Sequence, residues 1–528
     1  MTKLLKKGPC KFELITDDTR IAKKAVLLGC SQPPKDAVCG SKLVKKVSFL
    51  IRSPSVAIEF YEYAENGAEM ALESFKATKM ASSLLYPSSS ILGPKEGLFY
   101  LPYQQAGIEF MLARPRVLLA DPPGLGKTVE IAGVLNQLKS SRVLIICPAS
   151  LRLNWLQELE KWLSYAPDIL EVVSVDSVWR KSTFSRLVSG SYDFMAVDEA
   201  HYIKESRSKR SRACAALAAK SARVVLMTGT PVKNRPRDAF HLLHILLPDV
   251  FPDYRQYALR YCGAFLQNIW TFNRKTKTRR VRRVWNDDGS SNEKELNDIL
   301  RSTIMLRRSK EAALPQLPLK RRQLIEVQLS DSSEIREEQT AWGVVCSEIG
   351  FEEAVKHLED GAGAAFSEMA KVRQAVALSK VPVVVEHVEN ILESGEKVII
   401  FAHHRDVISQ ISERLMKYLP AVYVGGMTER QKDSEKRRFM EEESCRVFIG
   451  NIQAAGTGLT LTVASTVVFA EMSYCPSEME QCEDRACRIG QNASSVLVQH
   501  IVLSGSLDVM LGKRLLEKQR IADEILAV

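Results

Sequence analysis

Two series of short apolar segments, separated by stretches that favour helices, dominate the hydrophobic pattern of this 528-residue chain. Their hydrophobicity is continuous rather than alternating, which is typical of strands covered on both faces in a parallel sheet. The pattern therefore predicts an α/β protein with two parallel sheets. The first series occupies 117–120, 143–150, 172–176, 194–201 and 224–231, and the second occupies 397–404, 421–426, 446–451, 466–471 and 498–503.

The rhythm of these segments also predicts how the chain is divided. A chain of 528 residues is too long for one hydrophobic core. The stretch between the two series lacks the strand rhythm and is predicted to be mostly helical. We expect a small N-terminal α+β accessory domain at 1–95, a first lobe at 96–234, a helical insertion at 235–380, a second lobe at 381–505 and a C-terminal helix at 506–528.

A glycine-rich turn follows the first apolar segment, in the sequence RVLLADPPGLGKTVE at 116–130. A strand, a tight turn and a helix in this order bring free backbone N–H groups and the positive end of a helix dipole to one point, which favours a phosphate. Lys127 can reach the β- and γ-phosphates of ATP, and the Thr128 hydroxyl can bind Mg²⁺. The predicted nucleotide contacts are Asp121, which replaces the usual first glycine, and Pro122, Pro123, Gly124, Leu125, Gly126, Lys127 and Thr128.

The sequence DEAH at 198–201 ends another apolar segment, and chemistry in a parallel sheet collects at the carboxyl ends of its strands. Asp198 can hold Mg²⁺ through water, and Glu199 can orient and deprotonate the attacking water. Both are predicted to be catalytic, together with Lys127. Thr228, in the sequence TGTP at 228–231, is predicted to couple the γ-phosphate end of this site to the rest of the protein.

The sequence LRLNWLQELEKW at 151–162 has its large apolar residues at helical spacing. This spacing favours a helix whose tryptophans, Trp155 and Trp162, belong to the core rather than to a platform for stacking bases.

The segment QCEDRACRIGQ at 481–491 is predicted to supply the other half of the site. On a helix, Gln481, Asp484, Arg485 and Arg488 would share one face. Two arginines on that face can reach the γ-phosphate only if the second sheet docks against the first, and arginines supplied in this way are worth about 10³ to 10⁵ in rate. Arg485 and Arg488 are therefore predicted to be catalytic, and hydrolysis is predicted to depend on closure of the two lobes.

A net charge of +10 favours a polyanionic partner. The densest positive run, NRKTKTRRVRRVW at 273–285, is predicted to be either a loop that grips a nucleic-acid backbone or an ordinary solvated loop. The 11 cysteines include no C-x-x-C pair, and no apolar run is long enough to cross a membrane, so we expect an intracellular protein with reduced thiols and no membrane partner. The candidate DNA contacts in this run are Arg279, Arg280, Arg282 and Arg283.

Taken in order, DPPGLGKT, CPASL, DEAH, MTGTP, FAHH, QAAGTGLTLT and QCEDRACRIGQ resemble the motif series of the superfamily II ATPases. The GLGKT form, IMLRRSKEAALPQLP at 304–318 and RIGQ at 488–491 are similar to the SWI/SNF-related DNA translocases. The stretches FAHHRDV and VVFAE most resemble the HARP-type annealing helicases and their compact prokaryotic and viral relatives.

The resemblance implies two RecA-like lobes that use ATP and Mg²⁺ to track along double-stranded or branched DNA, with rewinding or fork remodelling as the outcome. Gln104 precedes the glycine-rich turn and is placed to read the adenine edge. The implied further residues are Gly456 and Gln481 for ATP, and Ser150, Thr228, Thr230, His403 and Thr457 for nucleic acid.

Two other functions stay open at this point. One is an RNA-directed helicase of the DEAH type, and the other is a nucleotide-switched DNA clamp or scaffold that binds but hardly hydrolyses. The presence of Lys127, Asp198, Glu199, Arg485 and Arg488 argues against the clamp.

Overall fold

The computed structural model describes residues 2–28, 30, 47–229, 235–273, 278–328, 333–349, 364–455, 459–473, 476–488 and 490–508. Three predicted site residues, Thr230, Gly456 and Thr457, lie outside the described residues, as does most of the predicted C-terminal helix. Two compact units make up the chain, and the boundary between them falls between Ala313 and Leu314. Across the described residues, no helix combines the length and the apolar character needed to cross a bilayer.

The N-terminal part of the first unit is a small α+β module, as predicted. Three antiparallel strands in the order β1-β2-β3 pack against helices around a core that includes Leu4, Phe12 and Phe49. The Asp298 carboxylate, which lies outside this module, connects it to the rest of the unit. It accepts hydrogen bonds from Ser53 and Ser55 of the module and forms an ion pair with Lys79 of the module. The elements are β1 (Lys3–Gly8), β2 (Lys11–Thr16), α1 (Thr19–Leu27), β3 (Val47–Ile51), α2 (Pro54–Ile58) and α3 (Asn66–Ala81).

A parallel sheet with helices between successive strands forms the centre of the first unit. Its strands are almost fully buried, as their continuous apolar sequences require. The elements are α4 (Pro102–Leu112), β4 (Arg116–Leu119), α5 (Lys127–Leu138), β5 (Arg142–Cys147), α6 (Arg152–Trp162), β6 (Ile169–Ser174), α7 (Lys181–Ser189), β7 (Tyr192–Val197), α8 (Lys209–Lys220) and β8 (Ser221–Met227).

The stretch after this sheet contains the predicted helices and, in addition, strands that the sequence analysis did not predict. The described part of the basic run, 273 and 278–285, lies in two antiparallel strands that pair with each other and not in the predicted loop, and Val281, Val284 and Trp285 are residue types that favour strands. These two strands, β9 and β10, are called the hairpin below. A short strand, β11, pairs with β4 and completes a six-stranded sheet in the order β11-β4-β8-β7-β5-β6. The elements are α9 (Phe240–Leu246), α10 (Tyr254–Tyr261), β9 (Phe265–Asn273), β10 (Thr278–Asn286), α11 (Glu293–Thr303), β11 (Met305–Leu306) and α12 (Lys310–Ala313).

The second unit is built on another parallel sheet of six strands, in the order β12-β17-β16-β13-β15-β14. It starts at Leu314, well before the predicted boundary at 381, because β12 pairs with β17 as the edge strand. The elements are β12 (Leu319–Val327), α13 (Ser333–Ile349), α14 (Ala364–Glu393), β13 (Val398–Ala402), α15 (Arg405–Arg414), β14 (Ala421–Tyr423), α16 (Glu429–Glu441), β15 (Val447–Asn451), α17 (Ile452–Ala455), β16 (Thr466–Phe469), α18 (Pro476–Glu483) and β17 (Ser495–Leu503).

The two parallel sheets and the small α+β module confirm the predicted fold class. In the first sheet, β4, β8 and β7 are neighbours. The glycine-rich turn, Thr228 and Asp198 follow these three strands, so the three sequence motifs lie side by side at one edge of the sheet.

Candidate functional site

The glycine-rich turn joins β4 to α5, and α5 begins at Lys127. Gly124 and Gly126 have φ values of 92° and 78°, a left-handed conformation that glycine adopts without strain. The Lys127 ammonium lies against the turn and donates hydrogen bonds to the carbonyls of Asp121, at 2.9 Å, and Pro122, at 3.3 Å. The turn, the lysine and the amino end of a 12-residue helix together fit a chain of phosphates.

Two side chains from α4 brace the turn. The Tyr103 hydroxyl donates to the Leu125 carbonyl at 3.0 Å, and the Gln104 amide nitrogen donates to the same carbonyl at 3.3 Å. The Gln104 amide oxygen accepts from the Leu101 N–H at 3.0 Å. Because a Cβ at Gly126 would lie 2.5 Å from the Gln104 nitrogen, a glycine is required here. Gln104 thus joins the start of α4 to the turn through the two ends of its amide, and its contact with adenine stays a prediction.

Asp198 lies directly after β7, and two N–H groups orient its carboxylate. The Trp155 indole donates to Oδ2 at 2.8 Å, and the Glu199 N–H donates to Oδ1 at 2.9 Å. Burial, and then the neighbouring Glu199 charge, raise the pKa of Asp198 to about 6. Trp155 is a core residue, as predicted, but its hydrogen bond to the carboxylate was not foreseen. The only signal in the sequence is a polar N–H on an otherwise apolar helix face.

Glu199 has a φ of 47°, a left-handed conformation that is unusual for glutamate and that clusters at functional sites. The His201 Nδ1 atom lies 3.3 Å from Glu199 Oε2 and 3.3 Å from the Thr228 hydroxyl. His201 therefore connects the DEAH carboxylates to the end of β8. Thr228 is fully buried, so the predicted nucleic-acid contact through its side chain does not fit this structure, whereas its contact with His201 agrees with a coupling role.

A buried arginine, Arg308, stands behind the glycine-rich turn. Its backbone N–H and its Nε donate to the two oxygens of Asp121, at 2.8 and 3.0 Å, and its guanidinium also pairs with Glu130. The Asp121 side chain therefore faces Arg308, and only its backbone carbonyl faces Lys127. Sequence reasoning gave Arg308 no role, because Arg308 and Asp121 are 187 residues apart.

The arginine segment of the second unit differs from its prediction. Helix α18 ends at Glu483, so Gln481, Asp484, Arg485 and Arg488 do not share one helical face. After the helix, the Arg485 carbonyl accepts the Leu461 N–H at 2.9 Å, and Asp484 pairs with Lys320 at 2.6 Å.

The two arginines nevertheless converge. Arg485 and Arg488 both donate to the Leu459 carbonyl, at 3.2 and 2.9 Å, and Arg488 also donates to the Thr460 hydroxyl at 3.0 Å. Gln481 is only 6% exposed. The common acceptor holds both guanidinium groups at one point of the second unit.

The remaining candidate nucleic-acid residues lie at strand ends or in the hairpin. Ser150 is half-buried in the turn after β5, and His403 is half-buried after β13, where burial and then the neighbouring His404 lower its pKa. Arg279, Arg280, Arg282 and Arg283 all lie in β10. Their contacts with nucleic acid stay predictions.

Two family models match the chain: the SNF2-related domain matches residues 103–185 and 172–336, and the Helicase conserved C-terminal domain matches residues 381–490. The chain is 32% identical over 476 residues to the DNA annealing helicase and endonuclease ZRANB3 of Bos taurus, in an alignment that covers 84% of this chain and 42% of that protein. It is 31% identical over 452 residues to the SWI/SNF-related matrix-associated actin-dependent regulator of chromatin subfamily A-like protein 1 of Xenopus tropicalis, covering 81% and 45%.

The chain thus spans less than half the length of these two relatives. Among solved structures, the Sulfolobus solfataricus SWI2/SNF2 ATPase core in complex with dsDNA aligns over 80% of this chain and 93% of its own, with 22% identity and a TM-score of 0.36.

Proposed function

Because this chain belongs to the SNF2-related branch of the superfamily II ATPases, we propose that it hydrolyses ATP to translocate along double-stranded DNA. The observation that carries the proposal is the adjacency of the glycine-rich turn, the DEAH carboxylates and Thr228 at the ends of three neighbouring strands. Two relatives named above are an annealing helicase and a SWI/SNF-related protein, and we extend the proposal to annealing or fork remodelling on branched DNA. Such a substrate implies an intracellular location.

In this proposal the turn and Lys127 hold the phosphates of ATP, and Glu199 orients and deprotonates the attacking water. Mg²⁺, held by the Thr128 hydroxyl and through water by Asp198, would neutralise charge on the β- and γ-phosphates. Among the described residues, no group of three or more His, Cys, Asp or Glu side chains could hold a metal ion on its own.

Arg485 and Arg488 complete the site in the proposal when the two units close on ATP. Both guanidinium groups donate to one carbonyl within the second unit, which supports a role in which the two arginines act together. In the proposal, a shift of Glu199 on loss of the γ-phosphate is transmitted through His201 to Thr228, at the end of β8. Hydrolysis therefore depends on a duplex that aligns the units, which makes DNA an activator.

The β9–β10 hairpin is the proposed DNA contact of the first unit. It forms a two-stranded sheet of its own, and four arginines lie in β10. Ion pairs fix its base, because Arg235 pairs with Asp288 at 2.6 Å and Arg237 pairs with Asp287 at 3.2 Å. Arginines on a supported hairpin suit phosphate contacts, which position a duplex without reading its sequence.

The test is the ATPase rate of the purified protein with duplex DNA, forked DNA, single-stranded DNA and RNA. We expect duplex and forked DNA to stimulate turnover strongly and RNA to have little effect. Stimulation by RNA alone would favour the DEAH-type RNA helicase, and tight DNA binding without turnover would favour the clamp. The variant Glu199→Gln serves as the control, since it should bind ATP but not hydrolyse it.

A second experiment examines the hairpin. Neutralising the four arginines of β10 should weaken duplex binding equally across sequences. It should also reduce the slope of log K against log salt concentration by about 3 to 4, because each phosphate contact contributes about 0.9 to that slope. The matched control removes the same number of positive charges from α16. An equal change of slope in both variants would mean that net charge, and not the hairpin, is responsible. The arginines changed are Arg279, Arg280, Arg282 and Arg283, and the control positions are Arg430, Lys432, Lys436 and Arg437.

A further inference from the structure

One guanidinium group holds three elements around the phosphate-binding turn. The Arg308 guanidinium donates to Oδ2 of Asp121 in the turn, to the carboxyl group of Glu130 in α5 and to the backbone carbonyl of Tyr103 in α4. The Arg308 backbone N–H donates to the other oxygen of Asp121. The Arg308 guanidinium also lies 5.2 Å from the centre of the Tyr103 ring. Tyr103 in turn donates to the Leu125 carbonyl of the same turn. The start of the turn and, through Tyr103, its far side are therefore tied to one side chain.

The side chains of this cluster are completely buried, with Arg308, Asp121 and Glu130 each 0% exposed. Burial raises the pKa of Glu130 to about 8, even though Arg308 opposes the shift. A buried pair of this kind is costly to break, because removal of one partner leaves an uncompensated charge or an unfilled space.

The cluster is packed so tightly that the neighbouring position, Gly107, has no space for a side chain. A Cβ at Gly107 would lie 2.2 Å from Glu130 Oε1 and 3.0 Å from each terminal nitrogen of Arg308. The preceding residue, Arg307, donates to the Ala120 carbonyl and, at 3.2 Å, to the Gly229 carbonyl. Two successive arginines thus brace the backbone on both sides of the site, one at the phosphate-binding turn and one at the residue after Thr228.

Arg308 also lies close in sequence to the point where the chain enters the second unit. It lies two residues after the end of β11, which pairs with the strand that leads into the turn, and it precedes the boundary between the two units by only a few residues. The segment that enters the second unit is therefore anchored at the phosphate-binding turn.

From this geometry we propose that Arg308 is a positioning residue for ATP hydrolysis, which keeps the phosphate-binding turn in its binding-ready shape through Asp121 and Glu130. The inference rests on the proposed function of the same site. Arg308 does not touch the nucleotide in this account. It acts through the turn, and its loss lowers the affinity for nucleotide before it affects any later step.

The test measures equilibrium binding of a fluorescent ATP analogue, without DNA, to the full chain and to three variants. Arg308→Met removes the charge and all guanidinium donors. Arg308→Lys keeps the charge but cannot reproduce the paired donation from Nε and a terminal nitrogen to Oδ2 of Asp121, and both variants keep the backbone N–H that donates to Oδ1. Arg116→Met is the matched control. Arg116 lies at the opposite end of β4, where it donates to the carbonyls of Ala218, at 2.9 Å, and Ser221, at 3.2 Å.

We expect Kd to rise about tenfold or more in Arg308→Met, to rise less in Arg308→Lys and to stay within about twofold in Arg116→Met. Circular dichroism and Tm show at which temperature all three remain folded, and binding is compared there. Equal Kd values for Arg308→Met and the control, at similar losses of Tm, would overturn the inference and leave Arg308 a residue of the core. If Arg308→Met does not fold, Arg308→Lys decides by the same comparison. Failure of the unaltered protein to bind the analogue would instead refute the proposed function.

Discussion

Replacement of Trp155 by Phe should shift the pH dependence of ATP turnover. The change keeps an aromatic ring in the core but removes the indole N–H that donates to Asp198 at 2.8 Å. That N–H stabilises the ionised carboxylate, which is the form that can hold Mg²⁺. Without it, burial and the charge of Glu199 act on Asp198 with less opposition.

The size of the effect follows from the hydrogen bond. A hydrogen bond to a charged group contributes about 1.5 to 3 kcal/mol, and 1.36 kcal/mol corresponds to one pKa unit. The pKa of Asp198, which is about 6 in the intact protein, should therefore rise to about 7 to 8 in the variant. At pH 7 the ionised fraction would fall from about nine-tenths to between about one-half and one-tenth.

The assay is DNA-stimulated turnover between pH 5.5 and 9 at a low, fixed Mg²⁺ concentration. We expect the acid limb of the profile to move to higher pH, with a loss of about two- to tenfold at pH 7 and nearly full activity at pH 9. Trp162→Phe is the control. Trp162 lies on the same helix, and its indole donates to Glu158 at 2.9 Å, away from the carboxylates.

Two results would refute this reasoning. A uniform loss at all pH values would mean that Trp155 acts only through packing. An unchanged profile, with Tm lowered as in the control, would mean that the hydrogen bond does not govern ionisation of Asp198.

Three further predictions concern other parts of the chain. Lys127→Ala should abolish ATP binding, whereas Arg488→Ala should leave ATP binding within about threefold and reduce turnover about 10³-fold or more; equal loss of binding in both would contradict a site shared by two lobes. Asp298→Asn should release the N-terminal module at a cost of about 2 to 3 kcal/mol, visible as faster proteolysis between that module and the first sheet, and unchanged cleavage would refute this anchoring role. Burial alone would raise the pKa of Glu471, but hydrogen bonds from the His404 ring and from backbone N–H groups lower it to about 2. The contribution of Glu471 to the free energy of unfolding is therefore present above about pH 4.5 and lost as pH falls toward 2. Glu471→Gln should remove this part of the pH dependence of the free energy of unfolding, measured by denaturant titration.

The sequence predicted the features that depend on neighbouring residues. The continuous apolar segments identified the parallel strands, and the glycine-rich turn between β4 and α5 needs only its own backbone geometry. The prediction for 273–285 failed because charge outweighed the strand preference of Val281 and Trp285. The helix predicted through Arg488 ends at Glu483, and the residues after it are held by partners far away in sequence, such as Lys320, which pairs with Asp484.

The same limit applies inside the site. The lysine of the turn and the carboxylates of DEAH are local motifs, and their neighbouring positions follow from strand order. The contacts of Trp155 with Asp198 and of Arg308 with Asp121 join residues from separate elements. No local pattern encodes such pairs, because they exist only once the sheet has assembled.

The hairpin described above has the proportions of a lever. Each of its strands has nine residues, a length of about 30 Å. Its ion-paired base is held by Arg235 and Arg237, which lie only a few residues after Thr228. A tilt of about 7° at this pivot would move the far end by about 3.5 Å, close to the rise of one base pair. If the hairpin contacts DNA as proposed, a small tilt at its base would therefore suffice to advance its other end by one step along a duplex.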